Sequence, residues 1–157
     1  MSRNHMESLR QVAEPDPAEI AASLLNDRPE VQWTLESMAR EVHISPPSQL
    51  RRVFARRYGI SPMKYLTRVR CVQLATLLAR SRRPVGELMH EVGWRSRGNA
   101  ARQFRRITGL LPTAYRDQSQ QRARPVTPLT DGHAKYPHCG QEVEIASVLM
   151  IPNAASL

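Results

Sequence analysis

The stretch Phe54-Ala55-Arg56-Arg57-Tyr58-Gly59-Ile60-Ser61-Pro62-Met63-Lys64-Tyr65 returns fifty positions later as Phe104-Arg105-Arg106-Ile107-Thr108-Gly109-Leu110-Leu111-Pro112-Thr113-Ala114-Tyr115. Both copies read Phe-x-Arg-x-x-Gly-x-x-Pro-x-x-Tyr, and the same offset pairs Glu41-Val42 with Glu91-Val92 and Arg52 with Arg102. A pattern returning at a fixed period marks a supersecondary unit used more than once. Upstream of each copy lies a short apolar helix pattern, Leu35, Met38, Ala39 and Val42 in the first and Val85, Leu88, Met89 and Val92 in the second. Gly59 and Gly109 suit the positive φ that closes a helix. Each copy therefore reads as a short helix, a tight turn and a second helix, with Ala39 facing Leu50 across the first pair. That is a helix-turn-helix, present twice.

The second helix of each copy has two distinct faces. Leu50, Val53, Phe54 and Arg57 fall on one stripe, which leaves Ser48, Gln49, Arg51, Arg52, Ala55 and Arg56 toward the outside. In the later copy Ala100, Gln103, Phe104 and Ile107 point inward, while Arg97, Asn99, Arg102, Arg105 and Arg106 lie outward or at the helix start. Arg can bond guanine O6 and N7, and Asn or Gln can bond adenine N6 and N7, so such a face fits a major groove. The candidate DNA-binding residues are thus Ser48, Gln49, Arg51, Arg52, Arg56, Arg97, Asn99, Arg102, Arg105 and Arg106. The plainer alternative is that these side chains touch only phosphate or solvent.

Charge supports the same region. The 157-residue chain carries a net +9, but the surplus is not spread evenly. Residues 1–47 balance at −4 and residues 117–157 at −1, whereas residues 48–116 hold sixteen basic residues against Glu87 and Glu91, a balance of +14. Fifteen of the sixteen are Arg and one is Lys64, which favours planar phosphate and guanine recognition. Membranes and acidic proteins also attract basic surfaces, so charge alone leaves the partner open.

The organisation along the chain follows from proline placement. Residues 1–17 lack apolar periodicity and read as a flexible lead-in. Ile20, Leu24 and Leu25 then mark a short helix that stops before Pro29. Ser45-Pro46, Ser61-Pro62, Arg83-Pro84 and Leu111-Pro112 each set a Pro just inside a helix start, with the two Ser residues able to cap. Leu66, Val69, Leu74, Leu77 and Leu78 predict a longer helix over about 62–80, roughly 27 Å long at about 1.5 Å per residue. After Arg116 the Gln-rich, Pro-broken sequence reads as the end of the folded domain, which leaves 117–157 as a polar tail, disordered or weakly docked. No stretch approaches the roughly 18 apolar residues of a membrane helix, and no signal peptide is visible, so a cytoplasmic location is expected.

These residues resemble the DNA-binding domain of the AraC/XylS family of transcription regulators over about 18–116. The matching parts are Leu35-x-x-x-Ala39, Ile44-Ser45, Leu50-x-x-x-Phe54, Gly59-x-Ser61-Pro62-x-x-Tyr65-Leu66, Arg70, Ala75-x-Leu77-Leu78, Gly93-Trp94, Phe104-Arg105 and Gly109-x-x-Pro112-x-x-Tyr115-Arg116. The resemblance implies an all-α domain of seven helices. Two helix-turn-helix units, about 35–60 and 84–110, are joined by the linker helix. Recognition helices near 47–57 and 97–108 would enter successive major-groove segments on one face of a duplex, about 34 Å apart. It further implies a sequence-specific regulator that binds promoter DNA, with RNA polymerase as a further partner and neither a cofactor nor a small-molecule ligand in this chain. Two departures stand out: four residues separate Ser45 from Leu50 where the family has three, and Met89 and Ala100 exchange the family's small and bulky residues. Trp94 reads as core. A sensor domain of the kind most family members carry is not in this chain, which is expected to be a stand-alone regulator or part of a longer one.

Other chemistry is weaker. Cys71 and Cys139 form no Cys-x-x-Cys pattern, and His133, His138 and Cys139 lack a fourth ligand, so no metal site is expected. Cys71 reads as a buried thiol. His43 and His90, on the first helix of each unit, read as packed or solvated. Some alkylation-repair proteins combine a paired helix-turn-helix with an alkyl-accepting cysteine, but Pro137-His138-Cys139 is only a loose echo of such a site. With no phosphate loop, carboxylate pair or nucleophile triad, the chain is not expected to be an enzyme. The alternatives to a promoter regulator are an architectural DNA-binding protein and the alkyl acceptor.

Overall fold

The computed structural model describes residues 15–123, and this part consists of seven helices: α1 (Pro17–Asp27), α2 (Leu35–Glu41), α3 (Pro47–Tyr58), α4 (Pro62–Arg80), α5 (Val85–Glu91), α6 (Arg97–Thr108) and α7 (Pro112–Arg122). No strand occurs among the described residues. The lead-in as far as residue 14, and the segment containing His133, His138 and Cys139, lie outside them. Two compact units share this length. One takes residues 15–28 and 33–66; the other takes Pro29–Gln32 and residues 67–123. The long helix α4 contributes its first turn to one unit and the remainder to the other.

Within the first unit, α3 packs on both α1 and α2. Ala21, Leu25, Met38, Ala39, Leu50 and Phe54 are buried, with Ala39 of α2 and Leu50 of α3 as the small and large members of the pair. Asp16 caps α1 by accepting from the Ala18 amide at 2.9 Å, ahead of Pro17 in the first turn. Thr34 and Ser37 form a reciprocal capping box on α2. The Tyr of the repeated motif now has a purpose. Tyr65 meets the Phe54 ring edge-on, centroids 5.4 Å apart, and accepts a hydrogen bond from Asn26 Nδ2 at 3.1 Å.

The second unit repeats this arrangement with its volumes exchanged. Phe104 and Tyr115 again meet edge-on at 5.4 Å. The facing pair on α5 and α6 is Met89 and Ala100, large then small, where the first unit has small then large; both are buried in a core with Leu74, Leu78, Leu88 and Val92. The exchange keeps the total volume between the helices similar. Cys71 is fully buried in this core, and burial pushes its thiol up to about 12 from the ordinary 9.0.

Several boundaries differ from the sequence expectation. Helix α3 begins at Pro47 with Pro46 at the N-cap, so Ser45 caps nothing, whereas Ser61 does accept from the Lys64 amide at 3.3 Å. Pro84 is the N-cap of α5 and lies one position outside the helix. Helix α7 continues beyond residue 116 to Arg122, because the Gln-rich run is compatible with helix and the breaking prolines come only at Pro125 and Pro128. His43 does not sit on a helix but in the turn after α2, at φ 55°.

Candidate nucleic-acid interface

The turn in each unit is one backbone device. After α2, the Ile44 amide donates to Ala39 O at 2.9 Å and the His43 amide to Arg40 O at 3.2 Å; after α5, Trp94 donates to Met89 O at 2.9 Å and Gly93 to His90 O at 3.0 Å. These are the paired bonds of a Schellman motif, whose central residue takes positive φ, here His43 at 55° and Gly93 at 98°. The motif reverses the chain within a few residues and so fixes the angle at which the following helix leaves.

In the second unit the turn is also braced from behind. Arg70 of α4 is buried and donates from Nε to Pro29 O at 2.8 Å and from Nη2 to Val31 O at 2.9 Å. Its guanidinium lies 5.6 Å from the centroid of the buried Trp94 ring, and Gln32 Nε2 donates to Gly93 O at 2.8 Å. Desolvation lowers the Arg70 pKa from its ordinary value and the nearby Glu30 partly opposes this. Arg70, present in the matched motif and counted among the central cations, thus braces the turn from inside the unit and is not available to a ligand. Sequence reasoning placed it in a pattern without finding this role, because its partners are backbone carbonyls from a segment some forty residues away.

Helix α3 then presents its outer face. Leu50 and Phe54 are buried and Val53 is half-buried, while Ser48, Gln49, Arg51, Arg52 and Arg56 are all exposed. At about 100° per residue, Ser48, Arg52 and Arg56 lie roughly 160–240° around from Leu50, on the side away from the core. Arg57 lies on the expected inward side but is not buried. It is exposed and bonded to Glu19, with Asp16 3.9 Å away, so α1 neutralises it. The periodicity gave its direction correctly but could not show that acidic residues of another helix lie there.

Helix α6 is the counterpart. Ser96 caps it by accepting from the Asn99 amide at 3.3 Å, Ala100 and Phe104 are buried, and Arg97, Arg102, Arg105 and Arg106 are exposed with Asn99 half-buried. Gln103, expected inward, is half-buried. Both helices close on glycine in the left-handed region, Gly59 at φ 72° and Gly109 at φ 79°. Ion pairs among the described residues use Arg57 and Arg83, which holds Glu91 at 2.6 Å and Glu87 at 3.7 Å. The remaining cations of α3 and α6 therefore have no carboxylate partner among the described residues, and they fall in two clusters that share the positions of Arg52/Arg102 and Arg56/Arg106.

No group of three or more His, Cys, Asp or Glu among the described residues is placed to hold a metal ion, and no helix there is long and apolar enough to cross a membrane. Comparison with known proteins matches residues 38–118 to a family model described as helix-turn-helix domain. The chain is 32% identical over 91 residues to the RCS-specific HTH-type transcriptional activator RclR of Escherichia coli K12, covering 58% of this chain and 32% of that protein. It is also 32% identical over 96 residues to an AraC-like transcription regulator of Streptomyces antibioticus, covering 61% and 31%. The chain thus spans about a third of the length of these relatives. Among solved structures, the DNA-binding domain of AdpA, the global transcriptional factor, in complex with a target DNA, superposes with a TM-score of 0.63 at 30% identity, covering 69% of this chain and 96% of that one. Duplicated Schellman turns, outer helices whose outward arginines meet no carboxylate among the described residues, and a family match spanning both units converge on one classification: the chain belongs to the AraC-type helix-turn-helix family.

Proposed function

We propose that this chain is a sequence-specific DNA-binding regulator of transcription that inserts α3 and α6 into successive major-groove segments of promoter DNA in the cytoplasm. The observation that carries this reading is the pair of outward arginine faces, equivalent at Arg52/Arg102 and Arg56/Arg106, which meet no carboxylate among the described residues. Ser48, Gln49, Arg51, Arg52 and Arg56 serve the first contact; Arg97, Asn99, Arg102, Arg105 and Arg106 serve the second. Some read base edges and the others hold phosphate, since roughly half or more of protein–DNA hydrogen bonds go to the backbone. RNA polymerase is the further partner through which bound protein would act on a promoter. The chain acts by binding and holds no catalytic role.

Selection of binding sites from random duplex DNA by the full chain tests this directly. Two enriched elements spread over about two helical turns are expected, one for each recognition helix. A single element of half that length would mean that one unit is idle, and a pool with no enriched sequence would refute specific recognition.

A further inference from the structure

Arg97, the first residue of α6, does not simply project from its helix. A methyl group on Gly86 of α5 would lie 2.5 Å from Arg97 Nε, 2.6 Å from Cζ and 2.9 Å from Nη2, so the guanidinium rests directly on the bare Cα of Gly86. Only glycine leaves room for that seat. No carboxylate among the described residues forms an ion pair with the seated guanidinium; Glu87 and Glu91 pair with Arg83. The first unit has neither half of the device: fifty positions earlier stand Glu36 and Pro47. Nor does Arg97 share the direction of the outer face. It lies about 60° around α6 from the buried Ala100, whereas Arg102 lies about 200° around.

From this we infer that Gly86 is a positioning residue for DNA binding. It seats Arg97 on the flank of α6, where the charge meets the phosphate backbone at the groove's rim and not a base edge. This rests on the DNA-binding reading above and refines it, since it gives the second unit a backbone clamp that the first lacks. A free arginine loses much rotamer freedom on binding, and a side chain already held against a neighbouring helix loses less. The seat also separates two properties that a purely structural glycine would not. Replacing Gly86 by Ala improves helix propensity and displaces only the flexible end of one side chain, so stability holds or rises while binding falls.

The test measures binding of the full chain to a duplex chosen by selection and to a scrambled duplex of equal length, across a salt series, with thermal unfolding alongside. Arg97→Ala is expected to weaken both duplexes by the same factor, about threefold to tenfold, and to flatten the logarithmic salt slope by about one. Gly86→Ala is expected to weaken both by about twofold to fivefold with an unchanged or higher Tm, and to add nothing in an Arg97→Ala background. Loss confined to the selected duplex in Arg97→Ala would make Arg97 a base reader and overturn the inference. So would Gly86→Ala binding like the parent, or a further loss in the double variant. If the parent chain binds neither duplex, the DNA-binding reading itself fails; the other outcomes, with a parent that binds, fail only the seat.

Discussion

Arg52 and Arg102 occupy the same register in two helices, directed away from Leu50 and Ala100, and this was legible from the repeat alone because the offset that pairs them also pairs Leu50 with Ala100 and Phe54 with Phe104. In the DNA-binding mode proposed above, each would make a bidentate contact with guanine. Arg52→Ala and Arg102→Ala are each expected to cost about 1–3 kcal/mol on a selected duplex with little loss on random DNA, measured by anisotropy titration. An equal loss on both would assign that arginine to phosphate. The two turn residues could not be ranked from sequence. His43 and Gly93 both hold positive φ, but a Cβ on Gly93 would meet Pro29 O at 2.6 Å and Glu30 Cα at 2.8 Å, atoms of backbone that cannot swing aside. Gly93→Ala combines backbone strain with that clash and is expected to destabilise by about 1–3 kcal/mol or more, while His43→Gly relieves strain and gains about 1 kcal/mol. Equilibrium urea unfolding separates the two signs. The difference was hidden because it comes from the braced segment behind Gly93, which no local pattern encodes.

Elements were legible wherever apolar periodicity and proline agreed. All seven helices were expected, and the recognition helices were placed to within about a residue, yet their start signals were only half readable. Ser45 precedes a proline much as Ser61 does, but a second proline follows it, and Pro46 takes the cap position while Pro47 opens α3. Helix α3 therefore starts without a side-chain cap, whereas α6 has Ser96 bonded to the Asn99 amide. Ser96→Ala is expected to lower stability by about 1 kcal/mol, and Ser45→Ala by close to nothing. Equal losses in a denaturant titration would mean that Ser45 supports the turn by some other contact. The end of α7 escaped the sequence for the opposite reason. A change in composition after Arg116 marks less apolar surface to bury, which is a statement about packing and not about backbone conformation.

At the scale of the whole molecule, the surplus of +14 over residues 48–116 overstates what a ligand can meet. Arg70 is buried and bonded to carbonyls, Arg57 and Arg83 are held by carboxylates, and Arg116 donates to Arg83 O at 2.6 Å. Twelve of the sixteen central cations have no such partner among the described residues, seven of them on α3 and α6. Composition located the charge, and only the packing distinguished cations that build the fold from those left to bind. If about six of the free ones meet phosphate, raising salt from about 50 to 200 mM lowers affinity for random duplex by roughly 10³-fold. Substituting Arg57 or Arg83 should leave that slope unchanged, because their charge is already satisfied within the protein, whereas substituting Arg56 or Arg106 should reduce it or relax site preference. A slope near zero, or one that falls as much for Arg57→Ala as for Arg56→Ala, would mean that net charge and not its placement governs attraction to DNA.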